Sequence, residues 1–324
     1  MSTVLSSTES KGPILSVEEP AQAPAQKDLK TDSLVDPISA LIALRDTDPS
    51  DSDVEKLVCQ VICDKIDKNA ETQPYNVLFL YDPTTLARTD ADRIYSAITS
   101  FSEKKPILLI LNSDGGSVEA AYFIAKLCRE YTSGRFVVVV PRRAKSAATL
   151  ICCGADEIHM GSLSELGPID PQFEDKPALA LKNAIEHIAE LAKRYPAASE
   201  MFSSYLTKSL KLEELGYYER VAESAAQYAE RLLKKRSVTT DKPVSSIASR
   251  LVYDYKDHGF AIDANEASEI FGSEIVKSNT TLYNLANEIY ETLDLIRFIL
   301  KARLNRSFYF TGSAKSGCTS YKRK

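Results

Sequence analysis

The chain has 324 residues, 44% hydrophobic and 26% charged, so it can build a sizeable core in one large or two medium domains. Its net charge of -5 gives no electrostatic ground for expecting nucleic acid as a partner. No run approaches the roughly 18–20 apolar residues that span a bilayer, and the start Met1-Ser-Thr-Val-Leu lacks the basic and apolar regions of a secretory signal. A soluble, cytoplasmic protein is expected.

Residues 1–35 are rich in Ser, Thr, Pro, Ala, Glu and Lys without a sustained apolar period, which predicts a disordered segment. From Asp53 to Ile66 the apolar residues Val54, Leu57, Val58, Val61, Ile62 and Ile66 recur at helical spacing. Three short continuous apolar runs follow: Val77–Tyr81, Ile107–Leu111 and Phe136–Val140. Such runs mark strands buried on both faces of a parallel sheet. Helical segments over 90–101 and 117–131 alternate with them, so the expected fold class is α/β, with a mostly parallel sheet covered by helices. After Pro177 the pattern turns helical, over 178–194 and 217–235, and Lys234-Lys-Arg236 reads as a helix-end signal rather than a binding patch. A long helix is predicted over 280–304. The polar tail beyond it, ending in Lys322-Arg-Lys324, is expected to be disordered.

The six cysteines form no Cys-x-x-Cys spacing and read as buried apolar groups or free thiols, with Cys318 in the polar tail expected to be solvent-accessible. The three histidines, His159, His187 and His258, share no ligand spacing with them, so no metal or other cofactor is expected. His159 and His187 read as structural or exposed. No Gly-x-x-x-x-Gly-Lys-[Ser/Thr] loop is present.

Two segments carry candidate chemistry. In Leu109-Ile-Leu-Asn-Ser-Asp-Gly-Gly-Ser-Val118 a buried strand ends in paired glycines and feeds a helix, at the strand end where open α/β sheets bind ligands. Glycine lets the backbone turn tightly and present N–H groups to an oxyanion, although a plain strand-to-helix turn has the same composition. In Val140-Pro-Arg-Arg-Ala-Lys-Ser-Ala-Ala-Thr149 a strand is followed by a serine at a helix start. Ser146 there is either a helix cap or a nucleophile favoured by the positive end of the helix. There is no Gly-x-Ser-x-Gly elbow around it.

Together these segments resemble known enzymes. Asn112-Ser-Asp-Gly-Gly-Ser-Val118 resembles the glycine-rich oxyanion strand of caseinolytic (Clp) peptidases, and Ala144-Lys-Ser-Ala-Ala148 falls where those enzymes and the signal-peptide peptidase A group carry their nucleophile. Ala144–Leu150, Gly154-Ala-Asp-Glu-Ile158 and Ser164-Glu-Leu-Gly-Pro-Ile-Asp-Pro-Gln172 resemble the serine dehydrogenase proteinase family, which has the Clp fold, part of the Clp/crotonase superfamily. The likeness covers about 77–172 and resumes around 253–276. It implies a serine endopeptidase in which Ser146 attacks the scissile carbonyl. The N–H groups of Gly116 and Ala147 would hold the oxyanion, and Gly115 would shape the turn.

The resemblance leaves the general base open. Clp peptidases place a histidine after the strand that follows the nucleophile helix, where this chain has Leu166-Gly-Pro-Ile-Asp170. One repair is a desolvated lysine from the helical segment: Lys182, Lys193, Lys208 or Lys211. The other is His258, in the segment before Glu266-Ala-Ser-Glu-Ile-Phe-Gly272, which resembles the helix after the catalytic aspartate of Clp peptidases. Lys145 is read as a substrate or surface contact. Asp170, between Pro168 and Pro171, is read as a turn residue that could orient a base.

The expected organisation is a disordered segment over 1–35, a peptidase domain over 36–278 with a helical insertion at about 177–250, and a C-terminal helix and basic tail over 279–324. A protein or peptide substrate and a homo-oligomer are the expected partners, the latter by family analogy. The competing readings are a crotonase-type acyl-coenzyme A enzyme and an inactive scaffold of the same fold.

Overall fold

A computed structural model describes residues 49–322 apart from 83, 174–175, 178–179, 210–211 and 239, together with Ser39, and all of these fall in one compact unit, Asp36–Lys324. The segment 1–35 lies outside the described residues. The strands in chain order are β1 (Asn76–Asp82), β2 (Ile107–Ser113), β3 (Phe136–Val139), β4 (Arg143–Ala144), β5 (Glu157–Met160), β6 (Glu165–Leu166), a separate hairpin of β7 (Gln172–Phe173) and β8 (Lys176–Pro177), then β9 (Val276–Ser278), β10 (Arg306–Ser313) and β11 (Cys318–Lys322). The helices are α1 (Asp51–Asp67), α2 (Arg88–Thr99), α3 (Val118–Tyr131), α4 (Ala147–Cys153), α5 (Ala180–Arg194), α6 (Ser199–Ser209), α7 (Leu212–Leu233), α8 (Val244–Ser249), α9 (Ala264–Phe271) and α10 (Thr281–Leu304).

The main sheet runs β11-β10-β1-β2-β3-β5-β9, with β4 pairing β2 and β6 off that path. From β1 to β9 every pairing is parallel, while β10 and β11 add an antiparallel edge. This is the mixed α/β, mostly parallel arrangement that the apolar runs imply. Side chains alternate across a strand, and the three runs divide accordingly. Leu78, Leu80, Leu109, Leu111 and Val138 enter one core with Ile94 of α2, Ile124 of α3, every residue of α4 but Thr149, and Ala222, Ala225 and Ala229 of α7. Val77, Phe79, Tyr81, Leu108, Ile110, Val137 and Val139 enter a second core with Val58 and Ile62 of α1 and Leu285, Ile289, Leu293 and Ile296 of α10.

The C-terminal tail departs from expectation. Far from being disordered, residues 306–322 form a β-hairpin that pairs with β1 through Leu78–Ser313, Phe79–Gly312, Leu80–Thr311 and Tyr81–Phe310. Phe308 and Phe310 bury their rings in the second core, while Arg306, itself buried, pairs with Asp51 at the start of α1. Cys318 is correspondingly buried at 7% exposure rather than accessible.

The basic cluster after α7 is an end signal with an added task. Arg236 is buried, and its Nε and Nη2 each donate at 2.9 Å, to the carbonyls of Cys153 and Cys152 at the end of α4. Its guanidinium lies over the Phe271 ring, and burial pushes its pKa down to about 10. It thereby ties α7 to α4. Arg236→Met keeps the bulk but removes a donor from each of these carbonyls, of which that of Cys152 still accepts the Ala155 N–H, and is expected to lower the unfolding free energy by about 1–3 kcal/mol, measured as a lower urea midpoint at unchanged slope.

Candidate active site

Two consecutive strand ends build the site. After β2 the chain passes through Asp114 into Gly115 and Gly116, both at positive φ (95° and 148°). Leu86 forms a parallel bridge with Gly116: the Leu86 N–H donates to the Gly115 carbonyl and the Ser117 N–H to the Leu86 carbonyl, each at 2.8 Å. In that pattern the Gly116 N–H lies outside the ladder. A side chain at Gly115 would place its Cβ 2.6 Å from the Lys145 carbonyl oxygen and 2.9 Å from Ser146 Cβ. The glycine is therefore required by the approach of the serine turn as well as by φ.

That turn is stitched to the glycine strand. Lys145 N–H donates to the Ser113 carbonyl (3.0 Å), Ser113 Oγ accepts from the Gly115 N–H (3.1 Å), and Arg143 N–H donates to Asn112 Oδ1 (3.3 Å). Behind it, buried Thr149 Oγ1 lies 2.6 Å from the Ala144 carbonyl oxygen and accepts from the Gly167 N–H at 3.1 Å. Held this way, Ser146 adopts φ 51°, ψ -119°, a conformation that costs a non-glycine residue roughly 1–3 kcal/mol and concentrates at functional sites. Its side chain makes no capping bond to α4, so the helix-cap reading of Ser146 fails. The other two non-glycine residues at positive φ among those described are asparagines, which tolerate the left-handed region.

Ser146, Gly115 and Gly116 line a cavity of about 760 Å³, and His258 lines it too. One face of α7 supplies a wall, through Tyr217, Arg220, Val221, Ser224, Ala225 and Tyr228. His258 is brought there by a long-range pairing, in which Leu166 of β6 and Ile262 exchange two backbone hydrogen bonds of 2.9 and 3.0 Å. Its Nδ1 lies 2.5 Å from Oδ1 of Asp170, whose side chain is 6% exposed. The hydrogen bond to Asp170, the largest effect on it, raises the His258 pKa above the usual 6.5 against an opposing effect of burial. Asp170 is thus more than the simple turn residue that its flanking prolines suggest. The sequence signal for it was its place in the segment where Clp peptidases carry a histidine.

The lysine candidates fare differently. Lys193 and Lys208 are exposed, at the ends of α5 and α6, so neither has the burial that a neutral amine requires. Lys182 lies on α5 and Lys211 falls outside the described residues. Lys145, read as a substrate or surface contact, is instead tied down: its Nζ lies 2.9 Å from Glu165 Oε2. His159 is buried, with Nδ1 2.7 Å from Thr280 Oγ1, and His187 is exposed on α5.

Among the described residues no cluster of three or more His, Cys, Asp or Glu could hold a metal, and no helix is long and apolar enough to cross a membrane. Two uncharacterized proteins of Methanocaldococcus jannaschii, MJ0137 and MJ1495, are 29% and 28% identical over 56% and 64% of this chain. Each match spans 62% of the relative's own length. Among solved structures, a variant of the 1510-N membrane-bound stomatin-specific protease is similar, at TM-score 0.40 and 13% identity, over 68% of this chain and 83% of that one. A second variant of it, in complex with a substrate peptide, covers 75% and 90% at TM-score 0.40 and 14% identity. Residues 43–195, which hold the glycine turn, Ser146 and Asp170, match the family model of the ClpP-like SDH-type serine proteinases.

Proposed function

We propose that this chain hydrolyses peptide bonds, with Ser146 as nucleophile, His258 as general base and Asp170 orienting the base. The observation that carries the reading is one cavity lined by Ser146, Gly115, Gly116 and His258, with His258 Nδ1 hydrogen-bonded to a buried carboxylate. With Nδ1 donating to Asp170, Nε2 is the basic nitrogen of the ring. It takes the Ser146 proton as Oγ attacks the scissile carbonyl carbon, and the oxyanion that forms is held by the N–H groups of Gly116 and Ala147. The imidazolium then protonates the leaving amine. Water, deprotonated by the same nitrogen, attacks the acyl-enzyme and frees Ser146. The proposal extends, on resemblance alone, to a cytoplasmic homo-oligomer acting on proteins or peptides.

A serine-directed fluorophosphonate tests it. Wild-type protein is expected to label at Ser146 and Ser146→Ala is not. Labelling that persists in the variant, or never appears in wild type, would overturn Ser146 as nucleophile, and the second outcome would favour the inactive scaffold or an acyl-coenzyme A enzyme that needs no serine. The pH dependence follows from His258, which must be neutral to act. Because its pKa is raised, the labelling rate is expected to climb with pH through a midpoint above 6.5. The same shift stabilises the fold fully below pH 6.5, and that contribution is lost as pH rises through the folded value.

A further inference from the structure

We infer that Lys145 is a positioning residue, a strut that sets the separation of Ser146 from His258; this rests on the catalytic reading above. Lys145 precedes Ser146 in the chain, so its backbone shares the strained turn. Its side chain runs away from that turn along Gly167, where any Cβ would come within 2.7 Å of its Cδ. The ammonium ends on the segment that carries the proposed base, 3.1 Å from the Phe260 carbonyl oxygen and 3.4 Å from that of Gly259. Glu165 Oε2, at 2.9 Å, neutralises it and fixes its direction from β6. The Lys145 side chain is 15% exposed and its ion pair with Glu165 is part-buried, while the two carbonyls it reaches lie on the exposed loop.

The segment needs such a hold. Between Tyr255 and Ile262 its backbone bonds are local, from the Phe260 N–H to the Asp257 carbonyl, with the Gly259 N–H on the Asp257 carboxylate. The next tie is the Ile262–Leu166 bridge. The carbonyls of Gly259 and Phe260 immediately follow His258, so an ammonium that donates to both orders the loop at the point where the imidazole leaves it. One short stretch, Lys145-Ser146, therefore carries the nucleophile on its backbone and the hold on the base at the tip of its side chain. An ionised lysine supplies three donors on a four-carbon stem, which suits a glutamate and two carbonyls at once.

The test uses Lys145→Met, which keeps the stem and removes the charge, with Lys145→Arg and Glu165→Gln beside it. In Lys145→Met, amide hydrogen exchange over 257–262 is expected to accelerate while α2 and α3 stay protected. Fluorophosphonate labelling should slow roughly 10–100-fold, by the cost of misplacing a catalytic group. The labelling midpoint should move to higher pH, since the groups acting on His258 are Asp170, Asp257 and Lys145, and only Lys145 opposes its protonation by charge. Lys145→Arg should recover part of the rate, and Glu165→Gln should show a weaker loss in the same direction. Unchanged exchange in Lys145→Met overturns the strut. Accelerated exchange with wild-type labelling rate and midpoint overturns its positioning role. Wild-type protein that never labels overturns the catalytic reading instead, while exchange still decides whether the strut exists. If Lys145→Met does not fold, Glu165→Gln carries the same outcomes.

Discussion

Asp170→Asn is expected to leave the fold intact and to cut peptide hydrolysis and fluorophosphonate labelling by about 10⁴-fold, the scale seen when the carboxylate behind a catalytic histidine is replaced by its amide. The carboxylate only accepts hydrogen bonds, so it fixes the proton of His258 on Nδ1 and leaves Nε2 basic. An asparagine amide can donate to Nδ1 instead, which moves the ring proton to Nε2, where it no longer receives the proton of Ser146. The variant also loses the charge that favours imidazolium as the transition state forms. Its hydrogen bond is the largest effect raising the His258 pKa, so an NMR titration of His258 should show its midpoint fall in Asp170→Asn. Hydrolysis retained within tenfold of wild type, with that midpoint lowered, would show that Asp170 holds the histidine electrostatically without directing its tautomer.

The central sheet was legible because its strands are buried on both faces. Val77–Tyr81, Ile107–Leu111 and Phe136–Val140 are continuous apolar runs, and their odd and even members go to different cores. The edge hairpin was not. β10 places Arg306 and Thr311 among its buried residues, so it reads as polar, and its one period-two signal is Phe308 and Phe310. The site divides in the same way. The glycine turn and the serine turn follow adjacent strands of one local unit, and their composition marks them. His258 joins them through a Leu166–Ile262 bridge, which leaves no local period in the sequence. Asp170 was hidden by its prolines, and Thr149 by its place on a helix of small and apolar residues.

Gly115→Ala is expected to disable the site more severely than its single methyl suggests. The residue sits at φ 95°, where an L side chain is strained, and its Cβ would meet the Lys145 carbonyl at 2.6 Å and Ser146 Cβ at 2.9 Å. Neither neighbour can yield cheaply. The Lys145 carbonyl already accepts the Ala148 N–H at 2.8 Å as α4 begins, and the turn is pinned by the Thr149 hydroxyl behind it. The strain is therefore relieved by moving Ser146 or by opening the glycine turn, and either separates the proposed nucleophile from the proposed oxyanion donors. A displacement of about 1 Å costs on the order of 10²-fold in rate, and the overpacking itself costs about 1–3 kcal/mol in stability. Gly134 is the matched control: it is exposed between α3 and β3, and an added Cβ meets nothing within 4 Å. Gly134→Ala should stay within about 0.5 kcal/mol of wild-type stability and label at the wild-type rate. Urea unfolding and labelling kinetics on the two variants separate the general cost of losing a glycine from the cost of crowding this turn. Equal behaviour of the two would mean that the close approach of Gly115 to Ser146 has no part in holding the serine in place.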